Sequence, residues 1–132
     1  MTHDSILRDE GPLITRWWFW LVALMVVYFL VARAPLPLVH SWWQAGQDDW
    51  GDRLNRRHRM ADWMLLTRSL AGLTREEVVA RLGDPPPTNY FRDWSMVYNL
   101  GAERGFFSID SEWLVIRLDD SGQVSEARIV TD

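Results

Sequence analysis

Polar and apolar positions are unevenly distributed along the chain, and the longest apolar stretch lies near its beginning. Residues 17–32, WWFWLVALMVVYFLVA, include no charged, amide or small hydroxyl side chain. A helix that is apolar on every side is buried in a large core or in a membrane. These sixteen residues would extend about 24 Å as a helix, against about 30 Å of hydrocarbon. Because Arg16 and Arg33 can reach the headgroups, the pattern predicts a transmembrane helix over 13–34.

Aromatic residues in this stretch are typical of the interfacial belt of membrane proteins. The predicted anchor residues are Trp17, Trp18, Trp20, Tyr28 and Phe29. Two alternatives are a buried helix of a soluble protein and a cleaved signal peptide. The rest of the chain is too short to surround such a helix, and Pro35 would follow the cleavage site directly, so we favour an uncleaved anchor. Arginines on both sides leave the orientation weakly determined, with a slight preference for a cytoplasmic N-terminus.

The segments that flank the predicted span differ in character. Residues 1–12 form a polar tail of mixed charge. Residues 35–46 form a connector, in which Pro35 and Pro37 prevent the helix from continuing. The connector is rich in apolar residues, including Trp42 and Trp43. It either lies on a membrane or a neighbouring protein, or it folds onto its own domain.

Residues 47–132 carry the periodicity of a small α+β domain. Apolar positions recur at helical spacing over 47–70. Thr74 and Glu77 then form a capping box for a short helix over 75–82, which Gly83 ends in a left-handed conformation. Alternating or continuous apolar runs predict strands at 94–100, 113–118 and 123–130, the last with room for a bulge. The fold class is therefore one transmembrane helix followed by an α-α-β-β-β domain with an antiparallel sheet.

The connections between these strands are of two kinds. Residues 119–122, DDSG, predict a tight hairpin turn with Gly122 at positive φ. Residues 101–112 form a longer connection, with Phe106 and Phe107 at an apolar tip. We predict that Trp42, Trp43, Phe106 and Phe107 contact a partner.

At these residues the chain resembles the SmpA/OmlA, or BamE-like, domain family, over about 60–132. The resemblance is carried by four segments: the capped helix with its Leu-Gly-Asp-Pro end (73–85), Trp94 with 98–101, the strand 113–116, and the turn 119–124. It implies a periplasmic bacterial domain that scaffolds protein assemblies and catalyses no reaction. Lipoproteins of the family are attached through a lipidated cysteine. This chain has no cysteine, so its helix would have to hold it in the inner membrane.

Composition excludes several classes of function. The net charge is −4, which does not suit nucleic acid. His3, His40 and His58 lack the spacing of metal ligands, and the 119–122 turn lacks the ligands and closing Glu of a calcium loop. No phosphate-binding loop is present. We therefore expect no enzyme activity, no catalytic residue, no metal and no cofactor.

The remaining hypotheses concern partners. The first is an accessory or assembly subunit of a larger bacterial membrane complex, with other membrane subunits and lipid as partners and no small-molecule substrate. The second is a free-standing envelope-maintenance factor. The third is a ligand sensor, which would need a polar pocket beside the sheet.

Overall fold

The computed structural model describes residues 13–45, 55–107 and 109–132 and divides into two compact units with a boundary between Ala34 and Pro35. The predicted tail and residues 47–54 of the predicted long helix lie outside the described residues. The first unit contains helix α1, Leu13–Arg33. Its large apolar side chains are mostly exposed, from 49% at Val22 to 72% at Trp17. Among the described residues, no helix combines the length and the apolar character needed to cross a membrane.

The second unit is an α+β domain, as predicted. Within the described part of this unit, three helices precede three strands: α2 His40–Ala45, α3 Arg56–Leu66, α4 Arg75–Leu82, β1 Met96–Ala102, β2 Ser111–Leu118 and β3 Val124–Thr131. The strands pair antiparallel in the order β1-β2-β3, so β2 is the central strand. The sequence pattern does not predict the short α2.

Helix α4 begins and ends where the sequence indicates. The Thr74 hydroxyl accepts from the Glu77 backbone N–H at 3.3 Å, and the Glu77 carboxylate accepts from the Thr74 N–H at 2.8 Å. Gly83 follows with φ +82° and ψ 174°. This φ is positive, as expected, but ψ is extended rather than left-handed helical. The Tyr98 hydroxyl donates to the Gly83 carbonyl at 2.8 Å, which ties the end of α4 to the sheet.

The sheet is covered on both faces. The inner face packs against α3 and α4, through Met96, Tyr98, Leu114 and Ile116 among others. A smaller cluster on the outer face consists of Val97, Trp113 and Val115, with Phe91 and Trp94 packed against it. This double coverage explains why β2 is a continuous apolar run rather than an alternating one.

The connector folds onto its own domain, which decides between the two alternatives left open for it. The Leu36 N–H donates to the Arg59 carbonyl at 3.0 Å. Trp43, on α2, is 1% exposed, and its indole N–H donates to the Leu82 carbonyl at 2.9 Å. The domain therefore starts at Pro35 rather than at residue 47.

Strand β1 extends two residues beyond its predicted end because it contains a bulge. The pairing with β2 shifts between Asn99 and Gly101, so Gly101 pairs with Glu112. Gly101 has φ +115°, and a Cβ there would lie 3.4 Å from His58 Cε1. The bulge thus brings the end of β1 close to α3. The bulge allowed for in the third strand is also present, opposite Arg117 and Leu118.

Candidate functional site

The connection between β1 and β2 carries the most exposed large apolar side chains of the domain's described part. Phe106 is 99% exposed, Phe107 78% and Ile109 86%. The two phenyl rings meet edge to face, with centroids 5.7 Å apart. We call Phe106, Phe107 and Ile109 the apolar tip. Large exposed apolar groups at one place mark interaction sites more often than scattered ones do.

The base of this connection is held by charged groups rather than by packing. Arg104 Nη2 lies 2.9 Å from Glu112 Oε2, and the Arg104 backbone N–H donates to Glu112 Oε1 at 3.2 Å. The same guanidinium also donates to both carboxylate oxygens of Asp62 on α3. Across the connection, the Glu103 N–H donates to the Asp110 carbonyl at 2.9 Å. Arg104 therefore links the connection, α3 and β2 at one point.

A buried histidine lies behind this link. His58 stands one helical turn before Asp62 on α3, so both side chains project from the same face. His58 is 3% exposed, and its Nε2 lies 3.8 Å from Glu112 Oε2. Within the described part of the chain, neither ring nitrogen makes a hydrogen bond of ordinary geometry. We call His58, Asp62, Arg104 and Glu112 the base cluster.

Burial favours the neutral form of His58. Burial lowers the pKa of His58; the Glu112 carboxylate and the nearby backbone of Ala102 oppose this effect, and the Arg104 guanidinium reinforces it. Burial works against the charge of Arg104, yet hydrogen bonds with Asp62 and Glu112 outweigh it and raise the pKa of Arg104. With His58 neutral, the cluster holds two carboxylates and one guanidinium, and thus one negative charge in excess.

The arrangement ties the connection to α3 and β2. Arg104 contacts the carboxylates of both Asp62 and Glu112. Among residues 13–45, 55–107 and 109–132, no three His, Asp or Glu side chains are placed to hold a metal ion. The cluster positions the connection, and the chemically distinctive surface is the tip above it.

The structure separates the four predicted contact residues. Phe106 and Phe107 are at the tip. Trp42 is 43% exposed on α2, with the Arg56 guanidinium 5.9 Å from its ring centroid. Trp43 is a core residue instead: its ring packs edge to face on Tyr98, and the Arg57 guanidinium lies 4.3 Å from its centroid. Trp43 therefore offers a partner almost no surface.

The predicted anchor residues all lie on α1, with more than half of each side chain exposed.

Sequence reasoning missed Ile109 and the whole base cluster. The sequence pattern alone favours a polar strand start for Glu112 and a charged helix face for His58. A weak signal is present, since His58 and Asp62 are four residues apart in a helix. Nothing in the sequence indicates that Arg104 reaches them.

Comparisons with protein-family models, with curated proteins and with solved structures each gave no match. The resemblance to the SmpA/OmlA family therefore stays a prediction that rests on the residues themselves.

Proposed function

We propose that this protein is a non-catalytic, single-pass subunit of a larger bacterial membrane complex, with its α+β domain on the periplasmic side of the inner membrane. The observation that carries the proposal is the exposure of α1. Fourteen large apolar side chains, on all sides of the helix between Trp17 and Val31, are exposed. Removing one such side chain from water contributes about 1.5–3 kcal/mol, so the helix strongly favours lipid or apolar neighbours over water.

The side chains of α1 favour packing in a larger assembly over a tight pair of identical helices. The helix contains neither glycine nor serine, and close helix pairs in membranes depend on such small residues. Trp, Phe and Met fill irregular gaps between helices and lipid instead. The partners proposed are accordingly other membrane subunits and lipid.

On the side of the domain, we expect the apolar tip to provide the main contact and Trp42 a secondary one. Covering the side chains of the tip with a partner is favourable because it removes apolar surface from water. The charged neighbours of the tip are already paired at the base. An aromatic pair of this kind is well suited to filling an apolar pocket on a neighbouring subunit.

The test is affinity purification of the tagged full-length protein from its native membrane in mild detergent. A membrane complex recovered in fixed stoichiometry supports the proposal, and replacing both phenylalanines (Phe106→Ser with Phe107→Ser) should weaken its recovery. Leu66→Ser is the matched control, because Leu66 is also exposed, at 70%, but is the last residue of α3 and does not belong to the connection. Recovery of the protein alone would contradict the proposal.

The same experiment addresses the runner-up, a free-standing envelope-maintenance factor like the lipoproteins that the sequence resembles. Recovery with outer-membrane assembly factors only, in variable ratio, would favour that function. The order of helices and strands in the domain supports both hypotheses equally, whereas the exposed surface of α1 favours the first.

A further inference from the structure

The geometry of the base cluster points to regulation of the apolar tip. We propose that the base cluster is a pH-sensitive lock: it holds the connection rigidly while His58 is neutral, and protonation of His58 loosens it. The proposal rests on the proposed function in one respect, namely that the tip is the surface that a partner contacts.

In the closed state, the lock depends on Glu112. This carboxylate receives three guanidinium contacts from Arg104, at 2.9 Å and 3.1 Å on Oε2 and at 3.4 Å on Oε1, and it also accepts from the Arg104 backbone N–H. The Arg104 side chain is about one third exposed, whereas that of Glu112 is 11% exposed. Glu112 is therefore the buried anchor, and Arg104 is the link through which β2 holds the connection.

Protonation changes what His58 requires. The imidazolium has two N–H donors and no acceptor, and a buried cation needs an anionic partner. The charged groups facing His58 are Glu112 on β2, Arg104 on the connection and Asp62 on its own helix. Of these, Glu112 Oε2 is 3.8 Å from Nε2, so a movement of about 1 Å makes a charged hydrogen bond.

The new bond competes with the old one. It uses the same oxygen, Oε2, that receives the Arg104 guanidinium. The imidazolium also repels the guanidinium at close range. Arg104 then keeps its partly exposed pair with Asp62, and pairs of that kind contribute little, together with the contacts that its backbone N–H and Nε make with Glu112 Oε1. The attachment of the connection to β2 is therefore weakened.

The neighbouring Gly101 restricts how the His58 ring can move when it is protonated. Its Cα lies against the imidazole, where a side chain would meet His58 Cε1. The ring therefore has the end of β1 on one side and Glu112 beside it, which limits the rotamers that could carry the new charge to water. Because burial lowers the pKa of His58, the lock stays closed at neutral pH and opens on the acidic side of the ordinary histidine value, about 6.5.

The test uses the full-length chain in lipid nanodiscs. Because the protein has no cysteine, Phe107→Cys gives a single site for a nitroxide spin label whose motion is followed by electron paramagnetic resonance. From about pH 7.5 down to about pH 4.5, a range that extends well below the ordinary histidine pKa, we expect the spectrum to shift reversibly toward the mobile component. A label at Asp120→Cys, which is exposed in the turn between β2 and β3, should not change.

Three further variants decide the assignment. Adding His58→Gln should abolish the shift, and adding His40→Gln, which removes an exposed histidine of the same domain, should leave it intact. Arg104→Gln should give a mobile label at every pH. An unchanged spectrum in the parent protein, or a shift that survives His58→Gln, would overturn the lock.

Failure of the lock can be told apart from failure of the proposed function. The label reports on the connection without any partner, whereas recovery of a membrane complex does not depend on pH-driven motion. The tip could respond to pH while the substitutions of Phe106 and Phe107 leave recovery of the complex intact. That result would refute the tip as the contact surface, and the proposal of a pH-sensitive lock would still stand.

Discussion

The two connections of the sheet are built on opposite principles. The turn between β2 and β3 closes on itself: Asp119 Oδ1 accepts from the Ser121 N–H at 2.9 Å and the Gln123 N–H at 3.0 Å, and the Gly122 N–H donates to the Asp119 carbonyl at 2.9 Å. The connection between β1 and β2 combines the contacts of Arg104 with Glu112, 8 positions away, and with Asp62, 42 positions away. Asp119 closes the first connection through contacts within four positions in sequence, whereas the second also depends on a residue of α3.

This difference explains where an interaction surface can be regulated. A turn closed by local hydrogen bonds forms whenever its strands form, because little chain entropy is lost on closing it. A connection held by distant charges has a stability of its own, separate from that of the sheet, and segments of low local stability are those that move in regulation. The apolar tip lies on the second kind of connection.

The largest expected effect comes from removing the buried anchor of the longer connection. Glu112→Ala leaves Arg104 and His58 without their carboxylate, and breaking a buried pair of this kind lowers the free energy of unfolding by about 2–4 kcal/mol. Glu126→Ala is the control, because its pairs with Arg117 and Arg128 are largely exposed and contribute about 0.5 kcal/mol. Chemical denaturation measures both; equal losses would show that the base cluster contributes no more than a surface pair.

A pair of glycine substitutions sharpens the same contrast. A methyl group added at Gly122, where φ is +79°, would meet no atom within 4 Å, whereas one added at Gly101, where φ is +115°, would lie 3.4 Å from His58 Cε1. Gly122→Ala should lower the free energy of unfolding by about 1 kcal/mol through backbone strain alone. Gly101→Ala adds a close contact with His58 to the backbone strain, and we expect the free energy of unfolding to fall by about 2 kcal/mol. Denaturant titration of both variants measures the difference, and a larger loss at Gly122 would contradict this ranking.

The pH dependence of stability should follow from His58. Its pKa is lower in the folded than in the unfolded state, so the unfolded chain binds the proton more readily. The contribution of neutral His58 to the free energy of unfolding is fully present above the ordinary histidine pKa, about 6.5. It is lost as the pH falls from there through the pKa of the folded state. Unfolding free energies measured across this range should decrease in the parent protein and in His40→Gln, and much less in His58→Gln.

The smallest effect is expected at the local turn. Hydrogen bonds from the Ser121 hydroxyl and the Gln123 N–H lower the pKa of Asp119, which is fully exposed. The contribution of ionised Asp119 to the free energy of unfolding is therefore present above the ordinary carboxyl pKa, about 3.9. It is lost as the pH falls through the lowered pKa of the folded state. Asp119→Ala should reduce stability only slightly at neutral pH and leave a label at the apolar tip unchanged. A mobile tip in this variant would show that the two connections are coupled.

Much of the domain is predictable because the relevant forces act between near neighbours in sequence. The capping box needs only Thr74 and Glu77, and the hairpin needs only residues 119–123. Phe106 and Phe107 can be identified as an exposed tip because they lie between glycine and polar residues in a long connection. The burial of Trp43 could not be predicted, since an aromatic residue in a proline-bounded segment gives no sign of whether its own domain covers it.

The amino-acid sequence by itself determined the apolar helix, the capped helix, the three strands and the tight turn, because hydrophobic periodicity and local hydrogen bonds specify them within a few residues. Only the tertiary structure decided that Trp43 is buried, that β1 bulges at Gly101, and that His58, Asp62, Arg104 and Glu112 meet. Those contacts join residues up to 54 positions apart (112 − 58). Which distant charges end up adjacent depends on helix placement and strand register, and these are set by packing of the whole core.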